Sequence, residues 1–485
     1  MNRYLNMLAG AVLALAPLSC GNPDDYIPGR VEEEKPAVEV KYNDLGFAPH
    51  KDGDPFDTYE GLVMAGYQGW FCAPGCGCPH NRFYHYQENG YFEPGVLKNS
   101  IDFWPDTAEY DITYETKFTM PDGSPAKVYS PYDESSVMTH FKWMQEYGID
   151  GVYMQRFVSE AIDNPNSQNH FNKVLDNAMA ASNKYQRAIC VMYDLGGFRK
   201  TESRSVDALV KDGCDIYDKY QLGDRSVQKY YLHENGKPLI ALWGVGFNDN
   251  RPYTISEIKE VCDRFKEKGY SIMLGVPTGW RTLSGDCLHD KAITALIKES
   301  DVFFPWFVGR YDYNSYDNFL QNNIKADIKW AQDNGKVYAP LCFPGFSWTH
   351  MRPHSAPISR MKGDFLWKQA YGSIAAGAKC FYIAMFDEVD EGTAIFKVLN
   401  KRNVPSNDPL KDYYVFYDGS ECRIRSTQKT DLTGNQWCEL ASSLNIGFQG
   451  IDDDLETDHY LWLTGQIRKM LRGEIPLSAQ QPKRN

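Results

Sequence analysis

The feature that most constrains the fold of this chain is an alternation of two kinds of segment. Short apolar runs rich in β-branched and aromatic residues occur at 62–67, 150–157, 188–194, 239–243, 271–277, 302–307, 337–343 and 380–386. Between them lie stretches of helical period, at 135–147, 169–184, 206–213, 255–268, 292–299, 319–334 and 365–376, with a last one at 458–471 after the eighth run. The runs are near-continuously apolar, as expected of parallel strands covered on both faces. Eight such units predict an α/β protein built as a (β/α)8 TIM barrel rather than an open doubly wound sheet. No Gly-rich dinucleotide fingerprint follows the first run, which points the same way. About sixty residues without sustained helical period follow strand one, and about sixty follow strand eight. Both connections leave strand C-termini, where barrel enzymes build their sites, and strands one and eight are neighbours in a closed barrel. The two long loops are therefore expected to meet over one side of the mouth.

Outside the barrel, assigned to 56–475, the ends read differently. Arg3, an apolar stretch over 8–18 and Leu18-Ser19-Cys20 have the proportions of a signal peptide, residues 1–20. They resemble a bacterial lipoprotein signal, which implies lipidation of Cys20, export, and a cell-envelope or outer-membrane location with the membrane as partner. Residues 21–55, acidic and Pro/Gly-containing, read as a flexible tether, and 476–485 as a disordered tail. The net charge of −13 shows no basic stripe, which argues against nucleic acid as a partner. A monomer is expected. Many of the 32 Tyr and 11 Trp stand beside Gly, Asn and Asp, where flat rings either stack on sugars or pack the rim.

With Cys20 set aside, eleven of the twelve cysteines remain. Cys190, Cys262, Cys342 and Cys380 sit in apolar stretches and read as small buried hydrophobes. Cys422 and Cys438 lie in a polar region compatible with a disulfide in an exported protein. Cys72, Cys76, Cys78 and His80 carry zinc-ligand chemistry, but their spacing matches no common zinc pattern. A disulfide from Cys76 or Cys78 to Cys72 or to a distant partner is favoured, and no metal or cofactor is expected. Asp452-Asp453-Asp454 reads as a cap and solvated turn before the last helix.

Chemistry concentrates where the eighth run stops. Cys380-Phe381-Tyr382-Ile383-Ala384-Met385-Phe386 gives way to Asp387, Glu388, Asp390 and Glu391. Residues three apart on a strand face opposite sides, so only a turn, made credible by Gly392, would bring Glu388 and Glu391 to one ligand. Two carboxyls across a glycosidic bond divide labour as acid and base when their surroundings push their pKa values apart. A solvated acidic loop or a Ca²⁺ site using all four acids is the competing reading. Asp387 and Asp390 are taken as supports, Asp387 also touching substrate. Tyr67, Trp70, Gln155, Arg156, Asp194, Trp243, Trp306 and Trp348 fall at strand ends or in nearby loops and are candidates for holding substrate. For Arg156 and Asp194 the alternative is a mutual salt bridge sealing the barrel top.

Phe386-Asp387-Glu388-Val389-Asp390-Glu391-Gly392-Thr393 resembles the N-E-W-x-E-G-T motif of family 99 glycoside hydrolases, the endo-acting α-mannosidases and α-mannanases. Gly66-Tyr67-Gln68-Gly69-Trp70-Phe71 is more loosely similar to that family's Y-x-x-W-Y-G stretch, and roughly 60–475 resembles the family 71/99-like barrel proteins. The resemblance implies a glycoside hydrolase acting on α-linked oligo- or polysaccharides. It implies Glu388 as the base that takes the proton of the sugar 2-hydroxyl, giving a 1,2-anhydro sugar, and Glu391 as the acid that protonates the leaving oxygen. Val389 and Asp390 replace the family's Trp and His, and Asp387 its Asn, which bears on mannose specificity. A glycan-binding surface lipoprotein without catalysis is the second reading, and a Ca²⁺-stabilised surface protein the third.

Overall fold

A computed structural model describes residues 46–87, 92–94, 101–350, 356–407, 413–418, 421–426 and 447–484. The eight expected strands are β1 Val63–Tyr67, β2 Gly151–Phe157, β3 Ala188–Asp194, β4 Lys237–Trp243, β5 Ser271–Val276, β6 Val302–Pro305, β7 in two pieces (Val337–Tyr338 and Leu341–Cys342), and β8 Phe381–Ile383. All pair in parallel, β1 lying between β2 and β8, with Val63 opposite Phe381 and Ala65 opposite Ile383. Strand β7 closes the ring. Its first piece pairs with β6 and its second with β8, and the change of partner falls at Ala339-Pro340, where the proline lacks an N–H for the ladder. The Ala339 amide still donates to the Phe303 carbonyl at 3.1 Å, and the Tyr382 amide to that of Pro340 at 3.2 Å.

Among the described residues, eight helices cover the ring: α1 Glu134–Tyr147, α2 Pro165–Tyr185, α3 Val206–Lys219, α4 Ile255–Lys268, α5 Lys291–Glu299, α6 Lys325–Asp333, α7 Asp364–Ala375 and α8 His459–Leu471. Local sequence sets their ends. Thr254 and Glu257 form a capping box at the start of α4, and Gly269 ends it at φ 115°, a left-handed conformation that glycine adopts without strain. Helix α8 packs against α7 and α1, which brings the last unit round to the first. At the N-terminal end of the barrel, Asp150 joins the chain's two halves. Its Oδ2 accepts from the Val63 amide at 2.8 Å and its Oδ1 from Arg472 Nη2 at 2.7 Å.

Two boundaries move. The segment read as a tether up to residue 55 already lies on the barrel from Gly46, whose carbonyl accepts from Lys379 Nζ, and His50 stacks on Phe56 at 4.0 Å. The expected disordered tail is laid back on the helices. Trp367 Nε1 donates to the Ser478 carbonyl at 3.0 Å, and Arg484 pairs with Asp458. A short polar end orders here because a charge of opposite sign and an otherwise unpaired indole N–H lie within reach. Asp452-Asp453-Asp454 does not cap α8, which begins after Asp458; these side chains instead meet Lys401, the Arg402 amide and Lys362. Cys190, Cys262, Cys342 and Cys380 are buried thiols. Cys20, Cys438 and the side chain of Cys422 lie outside the described residues. Among the described residues no helix is long and apolar enough to cross a membrane.

The long loops after β1 and β8 do meet. The Asp102 and Phe103 amides both donate to the Val389 carbonyl, at 2.9 and 3.1 Å, and the Gln449 amide donates to the Asp102 carbonyl at 2.7 Å. The loop after β7 joins them, because the Asp102 carboxylate accepts from the Thr349 and His350 amides at 2.8 Å each.

Candidate active site

The chain leaving β8 does not stay extended. The Thr393 and Ala394 amides return to the Glu388 carbonyl at 3.2 and 3.0 Å, Gly392 sits at φ +63°, and buried Arg360 donates through Nη2 to the Gly392 and Ala394 carbonyls at 2.8 Å each. This is the turn that the spacing of Glu388 and Glu391 requires.

The four acids have separate surroundings. Asp387 is fully buried, its Oδ1 accepting from the Gln68 amide at 2.7 Å and its Oδ2 from the Gly69 amide at 2.9 Å, so it staples the end of β8 to the end of β1. Burial pushes its pKa up to about 7 against the pull of those two N–H groups. Glu388 is 4% exposed, with Oε1 accepting from Gln68 Nε2 and Oε2 from Thr393 Oγ1 at 2.7 Å. Burial holds its pKa well above the ordinary range, and the neighbouring charge of Glu391, then that of Asp390, adds to this. Glu391 is half-buried and is pushed up to about 7 by burial and by Asp194, while the Trp348 indole favours its charged form. Asp390 is buried and raised well above the usual range, by burial first and Glu391 second, and its Oδ1 has no hydrogen-bond partner among the described residues. Charges this close titrate together rather than one by one.

Beneath the acids, Gln155 Nε2 donates to Tyr382 Oη at 2.9 Å, and the Tyr382 ring stacks on Phe304 at 4.6 Å. Gly66 makes room for them, since a Cβ there would stand 2.3 Å from Tyr382 Oη and 2.2 Å from Met385 Cε. Asp194, at the end of β3, accepts from the Gly196 amide at 2.6 Å. Burial lifts it to about 6, and the charge of Arg251 works against that rise. The Arg251 guanidinium holds Asp249 through Nε at 2.8 and 3.0 Å and lies 5.2 Å from the Trp243 ring, which meets the edge of Trp306 at 5.2 Å. Glu391, Asp194, Arg251, Trp243 and Trp306 thus follow one another around the mouth, above Tyr382.

Three expected substrate contacts point elsewhere. Successive strand residues face opposite sides, so Gln155 is turned into the barrel and Arg156 out of it. Arg156 does not pair with Asp194. It binds Asp212 of α3 through Nε and Nη2 at 2.5 and 2.7 Å, and Asn172 of α2 at 2.9 Å, under the helices. Tyr67 also faces outward, its hydroxyl on His140 Nδ1 at 2.8 Å and its ring against Phe386. Trp70 stacks on His85 at 4.0 Å and on Phe157 at 4.9 Å, so protein occupies its ring faces. Gln155, Asp194, Trp243, Trp306 and Trp348 do gather with Glu388 and Glu391, whereas Asp387, with no exposed surface and both oxygens on backbone amides, supports the turn and does not reach substrate. The Ca²⁺ reading is disfavoured, because every Asp387 and Glu388 oxygen already accepts from a protein N–H or O–H group. Among the described residues, the cysteines at 72, 76 and 78 alone bring three such ligand atoms within 4.8 Å of one another. Sequence reasoning missed Gln68, Thr393, Tyr382 and Arg251. Gln68 was legible in principle, being one residue beyond outward-facing Tyr67.

No family model matches the chain, and none of the curated proteins does. Among solved structures, the GH99 endo-α-mannosidase of Bacteroides thetaiotaomicron, alone and in complex with bis-tris-propane, superimposes with a TM-score of 0.54 at 15% identity. The match spans 86% of this chain and 98% of that one. A glycoside hydrolase-like protein aligns with a TM-score of 0.42 at 11% identity, over 68% of this chain and 95% of that one. At such identities the likeness is one of fold: this chain has the TIM-barrel-like fold found in glycoside hydrolases.

Proposed function

We propose that the protein hydrolyses α-linked glycans, with Glu388 and Glu391 as its working carboxyls and a substrate akin to that of an endo-α-mannosidase. The observation that carries this is the 388–394 turn, which brings Glu388 and Glu391 into each other's field at the C-terminal mouth of the barrel. Glu388, its basicity raised by burial, takes the proton of the sugar 2-hydroxyl as that oxygen attacks the anomeric carbon. The reaction runs from the state in which the pair holds one proton and Glu391 carries it, and Glu391 gives that proton to the leaving oxygen. Water then opens the 1,2-anhydro sugar. Asp387 holds the base's loop, and Trp243, Trp306 and Trp348 offer apolar faces to the sugar rings. Release of reducing ends from a panel of α-linked glycans tests the reading. The wild type should turn over at least one, Glu388→Gln and Glu391→Gln should not, and activity kept by both variants refutes the assignment.

One observation favours a second reading, a glycan-binding protein without turnover: both Glu388 oxygens already accept from protein donors and the carboxyl is 4% exposed. Calorimetry that detects glycan binding by a wild type inactive on the whole panel selects it. For either reading we propose export and anchoring through a lipid on Cys20. Labelling with an alkyne fatty acid, lost in Cys20→Ser, is the expected result.

A further inference from the structure

The loop after β1 carries chemistry that the barrel mouth does not use. Cys72 and Cys78 are bridged, and Cys76 is a buried thiol between them. Gly75 and Gly77, at φ +84° and +83°, provide the tight turns that fold the three sulfurs onto one point, where they lie within 4.8 Å of one another. A fourth donor comes from another element. His170 of α2 presents Nδ1 to Cys72 Sγ at 3.2 Å, while its Nε2 lies 2.8 Å from the Gly69 carbonyl. A carbonyl only accepts, so Nε2 carries the hydrogen and Nδ1 points its lone pair at the sulfurs. Ligating histidines are oriented this way by a partner on the far nitrogen. His80, the histidine close in sequence, stacks on Tyr84 at 3.9 Å instead. The Cys78 amide donates to Cys76 Sγ at 3.4 Å. Cys72, Cys76, Cys78 and His170 are all nine-tenths buried or more, and Tyr84, Tyr114 and Tyr132 pack around the sulfurs.

We propose that Cys72, Cys76, Cys78 and His170 form a four-ligand Zn²⁺ site whenever the Cys72–Cys78 bridge is open. A dithiol opens the bridge by passing two electrons and two protons to its sulfurs and becoming a disulfide itself. Zn²⁺ then displaces the three thiol protons and binds three thiolates and one neutral imidazole, leaving the site with one net negative charge. On opening, the two bridged sulfurs move apart and His170 Nδ1, now 3.2 Å from Cys72 Sγ, closes on Cys76 and Cys78. Zn–S bonds of about 2.3 Å and a Zn–N bond of about 2.0 Å place tetrahedral S···S and S···N edges at about 3.8 and 3.5 Å. Bridge and metal exclude each other, and His170 also contacts the carbonyl of Gly69, whose amide holds Asp387.

The test uses the full chain, reduced anaerobically with dithiothreitol, desalted and titrated with Co²⁺ alone. Stoichiometric binding with a sulfur-to-cobalt charge-transfer band and tetrahedral d–d absorption is expected, with loss of the band when Zn²⁺ is added. The oxidised chain should show none of this. Cys76→Ser leaves both bridge cysteines in place and should weaken Co²⁺ binding by about tenfold or more. His170→Gln should reduce the d–d intensity. A folded, reduced wild type that takes up no Co²⁺, or a Cys76→Ser protein with an unchanged Co²⁺ spectrum and affinity, overturns the proposal.

Discussion

Asp387→Asn tests whether the base of the site is a buried acid held against its own solvation. The native carboxyl has no exposed surface and titrates near 7, against an ordinary value of 3.8. The folded state therefore keeps a proton that the unfolded chain releases. For a group raised in this way, the favourable contribution is complete below the unfolded pKa and is lost as pH climbs to the folded one, a window from about 4 to about 7. A gap of about three units corresponds to about 4 kcal/mol in all, of which about 2–3 kcal/mol falls between about pH 5 and about pH 8. Asparagine keeps the shape but cannot ionise. It also leaves the Gln68 or Gly69 amide facing an NH₂ group, a cost of about 1–3 kcal/mol that is the same at both pH values. The difference of differences removes that constant. Urea midpoints of the two proteins, at unchanged m, should show the wild type losing about 2–3 kcal/mol more than the variant on going from the lower to the higher pH. Equal pH slopes would refute the assignment of a buried, ionising Asp387.

Three further outcomes follow from the same geometry. Arg156→Met strands Asp212 beneath the helices and should cost about 3–5 kcal/mol in thermal or urea unfolding while leaving glycan affinity within about twofold, because the side chain faces away from the mouth; a folded variant that has lost binding would contradict that placement. Trp243→Ala removes a ring that shares the mouth with Trp306 and Arg251, and should weaken glycan binding by about 1 kcal/mol, or about fivefold, in calorimetry with little change in melting. Glu391 must be protonated to serve as the acid and its pKa stands at about 7, so turnover should fall as pH rises through that value, and a rate flat to well above it would exclude Glu391 from the role.

What the sequence disclosed, and what it hid, divides along one physical line. Eight strands were legible because each is buried on both faces along most of its length and is there near-continuously apolar, a demand that helices and loops do not share. The acids at 387–391 were legible because they end such a run abruptly. Direction was not legible where the register of a strand had to be known to one residue. Tyr67 and Arg156 lie outside the barrel, while Gly66, Gln68 and Gln155, their immediate neighbours, face the site side, and nothing in composition separates the two sets. Partner choice was hidden for a related reason. A charge at a strand end announces that burial must be compensated, but Arg156 had two anions within plausible reach, Asp194 one strand away and Asp212 on α3. Asp212 also accepts from the Tyr193 hydroxyl of β3 at 2.6 Å, which fixes it beside outward-facing Arg156 and leaves Asp194 to face Glu391 and Arg251 across the mouth. The outward turn of one arginine is thus part of what makes the inward side acidic, and it explains how a buried structural ion pair and a candidate substrate-holding carboxyl can come from adjacent strands without competing.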